Sequence, residues 1–145
     1  MLGRRGGSQR LPSRLGMAAA FEESRGLDWV GIDALRERVE QGALEGGARV
    51  AGRGVPRLPN TSCLILDGVS AQIQLMTLDL GGFCVSAGSA CSSGKVSSSH
   101  VLTAMGETEG ASQAIRVSLP WNVEEDHVVA FCKAYREMAA RLKKQ

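Results

Sequence analysis

The sequence predicts an α+β fold, a few-stranded sheet covered by helices, on three observations. Residues 62–66 (Ser-Cys-Leu-Ile-Leu) form a short apolar run behind Pro59, Asn60 and Thr61, as a buried strand requires. Residues 114–119 alternate cleanly, with Ile115, Val117 and Leu119 on one face and Ala114, Arg116 and Ser118 on the other, which is the pattern of a half-buried strand. Around these lie apolar stripes at helical spacing, the longest being Val128, Phe131, Tyr135, Met138 and Leu142. A chain of 145 residues is one domain's worth of protein and buries enough surface for a core without disulfides or a structural metal.

Taken in order, residues 1–14 are read as an irregular N-terminal segment, Gly- and Arg-rich over the first ten, and residues 15–145 as the domain. An apolar stripe over residues 15–21 and another at Ile32, Leu35 and Val39 fit two helices, or one long bent helix with Gly26 and Gly31 in its middle. Gly42, Gly46 and Gly47 are the expected stop, and a Gly/Arg/Pro connection runs on to Pro59. Ser70 is the expected N-cap of a helix to about Leu80, with Ile73, Met76 and Leu80 on one face and Gly81-Gly82 closing it. Residues 83–86 are a strand candidate. Residues 87–94 contain nothing larger than a cysteine, can pack no anchor of their own, and are expected to form a mobile loop. Ser97 or Ser98 then caps a short helix with Val101, Leu102 and Met105 inward, closed by Gly106. Asn122-Val123-Glu124-Glu125 reads as a capping box for the last helix, whose far end carries Arg141, Lys143 and Lys144.

Composition narrows the function classes. Hydrophobic residues at 43% and charged residues at 22% argue against disorder, and no apolar run reaches the roughly 18–20 residues of a spanning helix, so no membrane partner is expected. A net charge of +2 with only 4% aromatics offers neither the charge nor the stacking surface for a nucleic-acid binder. Four cysteines without a secretion signal suggest reduced thiols in a cytoplasm, and their separations contain no C-x-x-C. His100 and His127 do not complete a metal site. The basic residues are 13 Arg and only 4 Lys (Lys95, Lys133, Lys143, Lys144).

Cys91 is the candidate nucleophile. Cys63 lies among Leu64, Ile65 and Leu66 and is expected, with Cys84 and Cys132, to pack as a small hydrophobe, whereas Cys91 sits among serines and glycines. A thiol there is exposed, and Lys95 four residues on favours the reactive thiolate. Local composition alone leaves an incidental loop cysteine open as the alternative. For Arg116, an ion pair on a strand surface is the corresponding plain reading.

The combination of blocks is more specific. Residues 86–94 (Ser-Ala-Gly-Ser-Ala-Cys-Ser-Ser-Gly) followed by residues 99–106 (Ser-His-Val-Leu-Thr-Ala-Met-Gly) resemble the active-site loop and following helix of the cysteine desulfurases, class V members of the fold-type I pyridoxal-phosphate enzymes. Arg57-Leu58-Pro59-Asn60-Thr61-Ser62 and Ala114-Ile115-Arg116-Val117-Ser118-Leu119, with Glu124-Glu125 after it, agree in order and spacing. Gly6-Gly7-Ser8-Gln9-Arg10 is a weaker echo of the family's glycine-rich segment. The resemblance runs from about Arg57 to the last helix and implies the small domain of such an enzyme.

The resemblance also implies a reaction: L-cysteine gives L-alanine, and its sulfur passes as a persulfide to an acceptor, commonly an iron–sulfur scaffold. On this sequence Cys91 is then the nucleophile and persulfide carrier, with transient ligation of an iron–sulfur cluster by Cys91 a further expectation. Arg116 clamps the substrate carboxylate, a task for which a planar guanidinium fork is suited. His100 matches the Ser-His-Val-Leu pattern in a structural role. Family members are homodimers. The cofactor needs a Schiff-base lysine, which in the family stands next to a histidine; none of the four lysines here follows one, so the chain is expected to be the C-terminal part without the pyridoxal-phosphate domain, and inactive alone. Residues 11–14 (Leu-Pro-Ser-Arg) lack the family's phosphate-contacting threonine, Pro120-Trp121 stand where many members have glycine, and with Gln145 soon after the last helix any scaffold-docking tail is expected to be missing. A selenocysteine lyase, a relative active on cysteine sulfinate, a non-catalytic persulfide carrier or partner-binding module, and an iron–sulfur protein are the other readings; the cysteine spacings fit no familiar cluster motif.

Overall fold

A computed structural model describes residues 11–88 and 98–143. The elements are α1 (Leu11–Ser24), α2 (Trp29–Glu45), β1 (Arg49–Val50), β2 (Thr61–Ile65), α3 (Ala71–Leu80), β3 (Ser86–Ala87), α4 (His100–Ala104), a 3-10 turn (Gly110–Ser112), β4 (Ala114–Ser118) and α5 (Glu125–Leu142). The four strands make one antiparallel sheet in the order β1-β2-β4-β3, so the expected α+β class with a small, helix-covered sheet is what forms. The two long strands are central, and the two-residue strands β1 and β3 form the edges, short enough to offer little to a foreign strand.

The core follows from strand alternation. Ser62 and Leu64 of β2 and Ile115 and Val117 of β4 point to one face, where they meet Ile32, Val39 and Ala43 of α2, Leu78 of α3, and Val128, Phe131, Tyr135 and Met138 of α5. The opposite face is half-covered. At one end Ile65 and Ala114 are buried under Leu102 of α4 and Ala111 of the 3-10 turn; towards the other, Arg116 and Ser118 are exposed. Arg49 of β1 fastens this cap by pairing with both Asp67 (2.9 Å) and Glu107 (2.9 Å).

Several local expectations are corrected. Leu11–Arg14 open α1 instead of continuing an irregular segment, and Pro12 is tolerated because first-turn N–H groups have no intrahelical partner to lose. The first helical region is two helices, parted where the Asp28 side chain accepts a hydrogen bond from Gly31 N (2.9 Å) as the N-cap of α2. Gly42 does not end α2. It sits inside the helix because α5 comes so close that an added Cβ would lie 2.6 Å from Cys132 Sγ; the stop is Gly46, the C-cap. Ser70 caps α3 as expected, yet the buried face of that helix is Ala71, Gln74 and Leu78, and Ile73, Met76 and Leu80 are exposed. The reason is Gln74, whose Nε2 donates to Val69 O (2.9 Å) and Gln113 O (2.7 Å) and so draws the polar side of the helix inward. Strand pairing in the 83–86 region begins only at Ser86, giving Ser86–Ala87.

Ser99, not Ser97 or Ser98, caps α4, and only Leu102 of the expected trio is buried; Val101 and Met105 are exposed. Glu124, without a side-chain cap bond, is the N-cap of α5, so Asn122 forms no capping box there. Among the described residues no helix is long and apolar enough to cross a membrane.

Candidate functional site

The register of the sheet determines what surrounds Arg116. Cys63 of β2 and Ser86 of β3 stand directly opposite it on its two sides, so the three side chains share one row on the partly open face. Along the strands the row is flanked on one side by the α4 cap over Ile65 and Ala114 and on the other by Thr61 and Ser118, whose hydroxyls lie 3.3 Å apart. Arg116 is exposed and pairs with no carboxylate of the described residues, in contrast to Arg36, Arg49 and Arg57, each of which has one. A guanidinium held on a strand with its fork outward can take a carboxylate bidentately.

Cys63 is half-buried and its thiol is pushed up: burial disfavours the thiolate, and the positive charge of Arg116 offsets this only in part. It is therefore a neutral neighbour of Arg116. The expectation that three cysteines pack in the core holds for Cys132, which is buried, is relaxed for Cys63, and fails for Cys84, which is exposed. Cys84 and His127 share an apolar cleft of about 350 Å3 with Phe83, Val117 and Phe131. His100 is exposed at the first position of α4.

Cys91 and Lys95 lie outside the described residues. Their segment is bracketed by residues that are described: β3 pairs with β4 beside Arg116, and Ser99 N donates to Ala111 O (3.0 Å) at the cap. Gly88 follows β3 with a φ of +63°, a left-handed conformation that glycine adopts without strain.

A second polar cluster, which sequence reasoning missed, braces the site from the core side. Glu40 of α2 is 3% exposed and accepts hydrogen bonds from Arg36 Nη1 (2.7 Å), Arg57 Nη1 (2.6 Å), Arg57 Nη2 (3.2 Å) and Ser62 Oγ. Burial opposes its charge, but the bonds from Arg57, Ser62 and Arg36 and the charge of Arg57 outweigh that and hold its carboxyl below the ordinary range. Ser62 is the β2 residue before Cys63, so the cluster ties α2 and the β1–β2 connection to the strand beside Arg116. The available signal was Arg36 and Glu40 at i,i+4 next to the apolar stripe of α2.

Neither described lysine stands in a cofactor site: Lys133 is exposed on α5, and Lys143 Nζ donates to Gly47 O (2.9 Å). The described residues thus do not fit pyridoxal phosphate, which requires a lysine poised with an acid at the pyridine nitrogen. Among the described residues no group of three or more His, Cys, Asp or Glu is placed to hold a metal ion.

No family model matches the chain. It is 42% identical over 120 residues to a cysteine desulfurase of Cereibacter sphaeroides, covering 81% of this chain and 31% of that protein. It is 38% identical over 130 residues to a cysteine desulfurase of Sinorhizobium fredii, covering 85% and 34%. Among solved structures, a NifS-like protein from Rickettsia africae aligns with a TM-score of 0.64 at 32% identity, over 76% of this chain and 28% of the other. A further NifS-like protein aligns with a TM-score of 0.69 at 27% identity, over 86% and 31%. The chain thus spans about a third of the length of the curated relatives it matches. Sheet order, helical cover and these alignments define a small α+β domain of the NifS-like pyridoxal-phosphate enzymes. The chain belongs to the cysteine desulfurase family and corresponds to a C-terminal part of such an enzyme.

Proposed function

We propose that this chain supplies the sulfur-accepting half of a cysteine desulfurase site, with Cys91 as nucleophile and Arg116 as the substrate-carboxylate clamp. The observation that carries the reading is the placement of Arg116, exposed and without a carboxylate partner among the described residues, on the strand next to β3, from which the chain runs into the Cys91 segment. The balance is simple: L-cysteine and the Cys91 thiol give L-alanine and a Cys91 persulfide. The Cys91 thiolate forms the new S–S bond, the substrate C–S bond breaks with its electron pair remaining on the carbon side, and that carbon takes up a proton. A carboxylate fixed on Arg116 orients the substrate for this attack. Pyridoxal phosphate, which the family uses, is assigned to the rest of the enzyme. The outer sulfur of the persulfide is then passed to a thiol or scaffold acceptor, for iron–sulfur assembly, in a reducing cytoplasm; Cys63, Cys84 and Cys132 are free thiols, as that compartment requires.

The test is a fusion in which this chain replaces the matched segment of the Cereibacter sphaeroides relative. With L-cysteine it should form alanine and gain one sulfur on the Cys91 peptide by mass spectrometry. Cys91→Ser should abolish the added sulfur while leaving substrate binding. Sulfur arriving on Cys63 or Cys84 instead, or alanine formation indifferent to Cys91→Ser, would refute the assignment.

A further inference from the structure

The hydroxyls of Thr61 and Ser118, next to Arg116 on the open face, have their protons assigned by their neighbours. Asn60 Nδ2 donates to Leu119 O (3.2 Å), which fixes the amide and turns Oδ1 towards Thr61, whose Oγ1 donates to it at 3.3 Å. Thr61 has one hydroxyl proton, and Asn60 Oδ1 takes it. In the 3.3 Å contact between the two hydroxyls, Ser118 Oγ is then the donor and Thr61 Oγ1 the acceptor. The bonds run one way, from Ser118 through Thr61 and Asn60 to Leu119 O, and the lone pairs of Ser118 Oγ are their free end. A hydroxyl that donates within such a chain is the stronger acceptor for it.

The sheet sets this acceptor beside the guanidinium. Leu119 N donates to Asn60 O (2.8 Å) and Leu66 N to Gln113 O (3.3 Å), so the odd-numbered residues of β4 carry its hydrogen bonds to β2. Cys63–Arg116 and Thr61–Ser118 are therefore the intervening pairs, in which side chains stand closest. Arg116 and Ser118 are both exposed and lie two residues apart on one face, about 7 Å along the strand. β3 begins at Ser86, opposite Arg116, so no β3 residue stands beside Ser118. Thr61, Cys63, Ser86 and Ser118, which surround Arg116, include no carboxylate. The face thus offers a ligand one cation and one neutral acceptor.

We propose that Ser118 is a specificity-determining residue of this site: Arg116 takes the carboxylate of the substrate, and Ser118 Oγ accepts a hydrogen bond from the ammonium of the same molecule, so the pair reads an α-amino acid zwitterion. The inference rests on the assignment of Arg116 as the carboxylate clamp. In an α-amino acid the ammonium nitrogen lies about 2.5 Å from the carboxylate carbon. Hydrogen bonds of about 2.9 Å at either end extend that span to about 8 Å, enough to join the two side chains. A thiol acid without an ammonium lacks the donor that Ser118 accepts and is held by Arg116 alone.

The test uses the fusion described above with two ligands: L-cysteine as substrate, and as inhibitor 3-mercaptopropionate, which keeps the thiol and the carboxylate and lacks the ammonium. Ser118→Ala should raise KM for L-cysteine about tenfold, the loss of one hydrogen bond to a charged group, with kcat and the inhibition constant of 3-mercaptopropionate held within about twofold. Ser118→Thr, which keeps the oxygen, should restore KM. An unchanged KM in Ser118→Ala overturns the proposal. So does an equal loss of 3-mercaptopropionate binding, which would make the hydroxyl a donor to the carboxylate, and so does a KM that Ser118→Thr fails to restore. Arg116→Lys distinguishes this inference from the reading beneath it, because it should weaken both ligands. If it weakens neither, the clamp assignment fails; if it weakens both while Ser118→Ala changes nothing, the clamp stands and the role of Ser118 alone is refuted.

Discussion

Replacing Glu40 by Gln keeps the volume of the side chain and removes its charge at the one point where α2, the β1–β2 connection and β2 are joined by polar contacts. The carboxylate is 3% exposed and accepts from two guanidiniums and a hydroxyl, so the variant leaves Arg57 without its carboxylate and turns an amide N–H towards cations. Breaking a buried pair from one side costs about 3–5 kcal/mol. With a urea dependence of about 2 kcal/mol per molar, the midpoint should fall by about 1.5–2.5 M. The effect carries a pH signature. Glu40 is held below its unfolded value, so its contribution is complete above the unfolded carboxylate range and is lost as pH falls through the depressed folded value. Wild type and Glu40→Gln should therefore start to converge as pH falls below the unfolded carboxylate range, and converge fully only below the depressed folded value. Glu45→Gln, which removes an exposed partner of Arg136, should shift stability by less than about 0.5 kcal/mol and serves as the control. A Glu40→Gln loss under about 1 kcal/mol, or a gap from wild type that is the same in acid as at neutrality, would refute the account of this cluster.

Gly42→Ala tests packing against propensity by its sign: helix propensity predicts a gain of about 1 kcal/mol, whereas the new Cβ 2.6 Å from Cys132 Sγ predicts a loss of about 1–3 kcal/mol, and denaturant melts should show the loss. Tyr135→Phe should be neutral or stabilising by up to about 1 kcal/mol in a thermal melt, because the buried hydroxyl has no hydrogen-bond partner among the described residues and burial pushes its ionisation further up; a loss above 1 kcal/mol would reveal a partner. In the fused enzyme, Arg116→Lys should lower kcat/KM by about 10–100-fold, the loss expected when one charge-assisted hydrogen bond of a bidentate pair goes. An unchanged kcat/KM would remove Arg116 from the substrate site.

Alternation and helical period are local signals, and they made β2, β4, α5 and the Ser70 cap legible in the chain itself. The candidate site residues were legible for a different reason: a run of small residues around one cysteine and a lone arginine on an alternating strand are unusual compositions, and they fall within blocks shared with a known family. Faces were less legible. Ile73, Met76 and Leu80 satisfied the apolar rule for α3, yet the helix turned Gln74 inward because two carbonyls awaited a donor, at Val69 and Gln113. Gly42 looked like a stop and is a close approach to α5, a distance between elements 90 positions apart that no window along the chain contains.

The sequence by itself determined the class of fold, the candidate nucleophile Cys91, the candidate clamp Arg116 and the family. Tertiary structure alone decided that Cys63 and Ser86 flank Arg116, that Glu40 gathers Arg36, Arg57 and Ser62, and that α1 lies uncovered. The reason is physical: a side chain's type and its period along the chain are properties of neighbours in sequence. Its burial, its partners and the sign of its pKa shift are instead set by strand register and helix docking, which join residues remote from it.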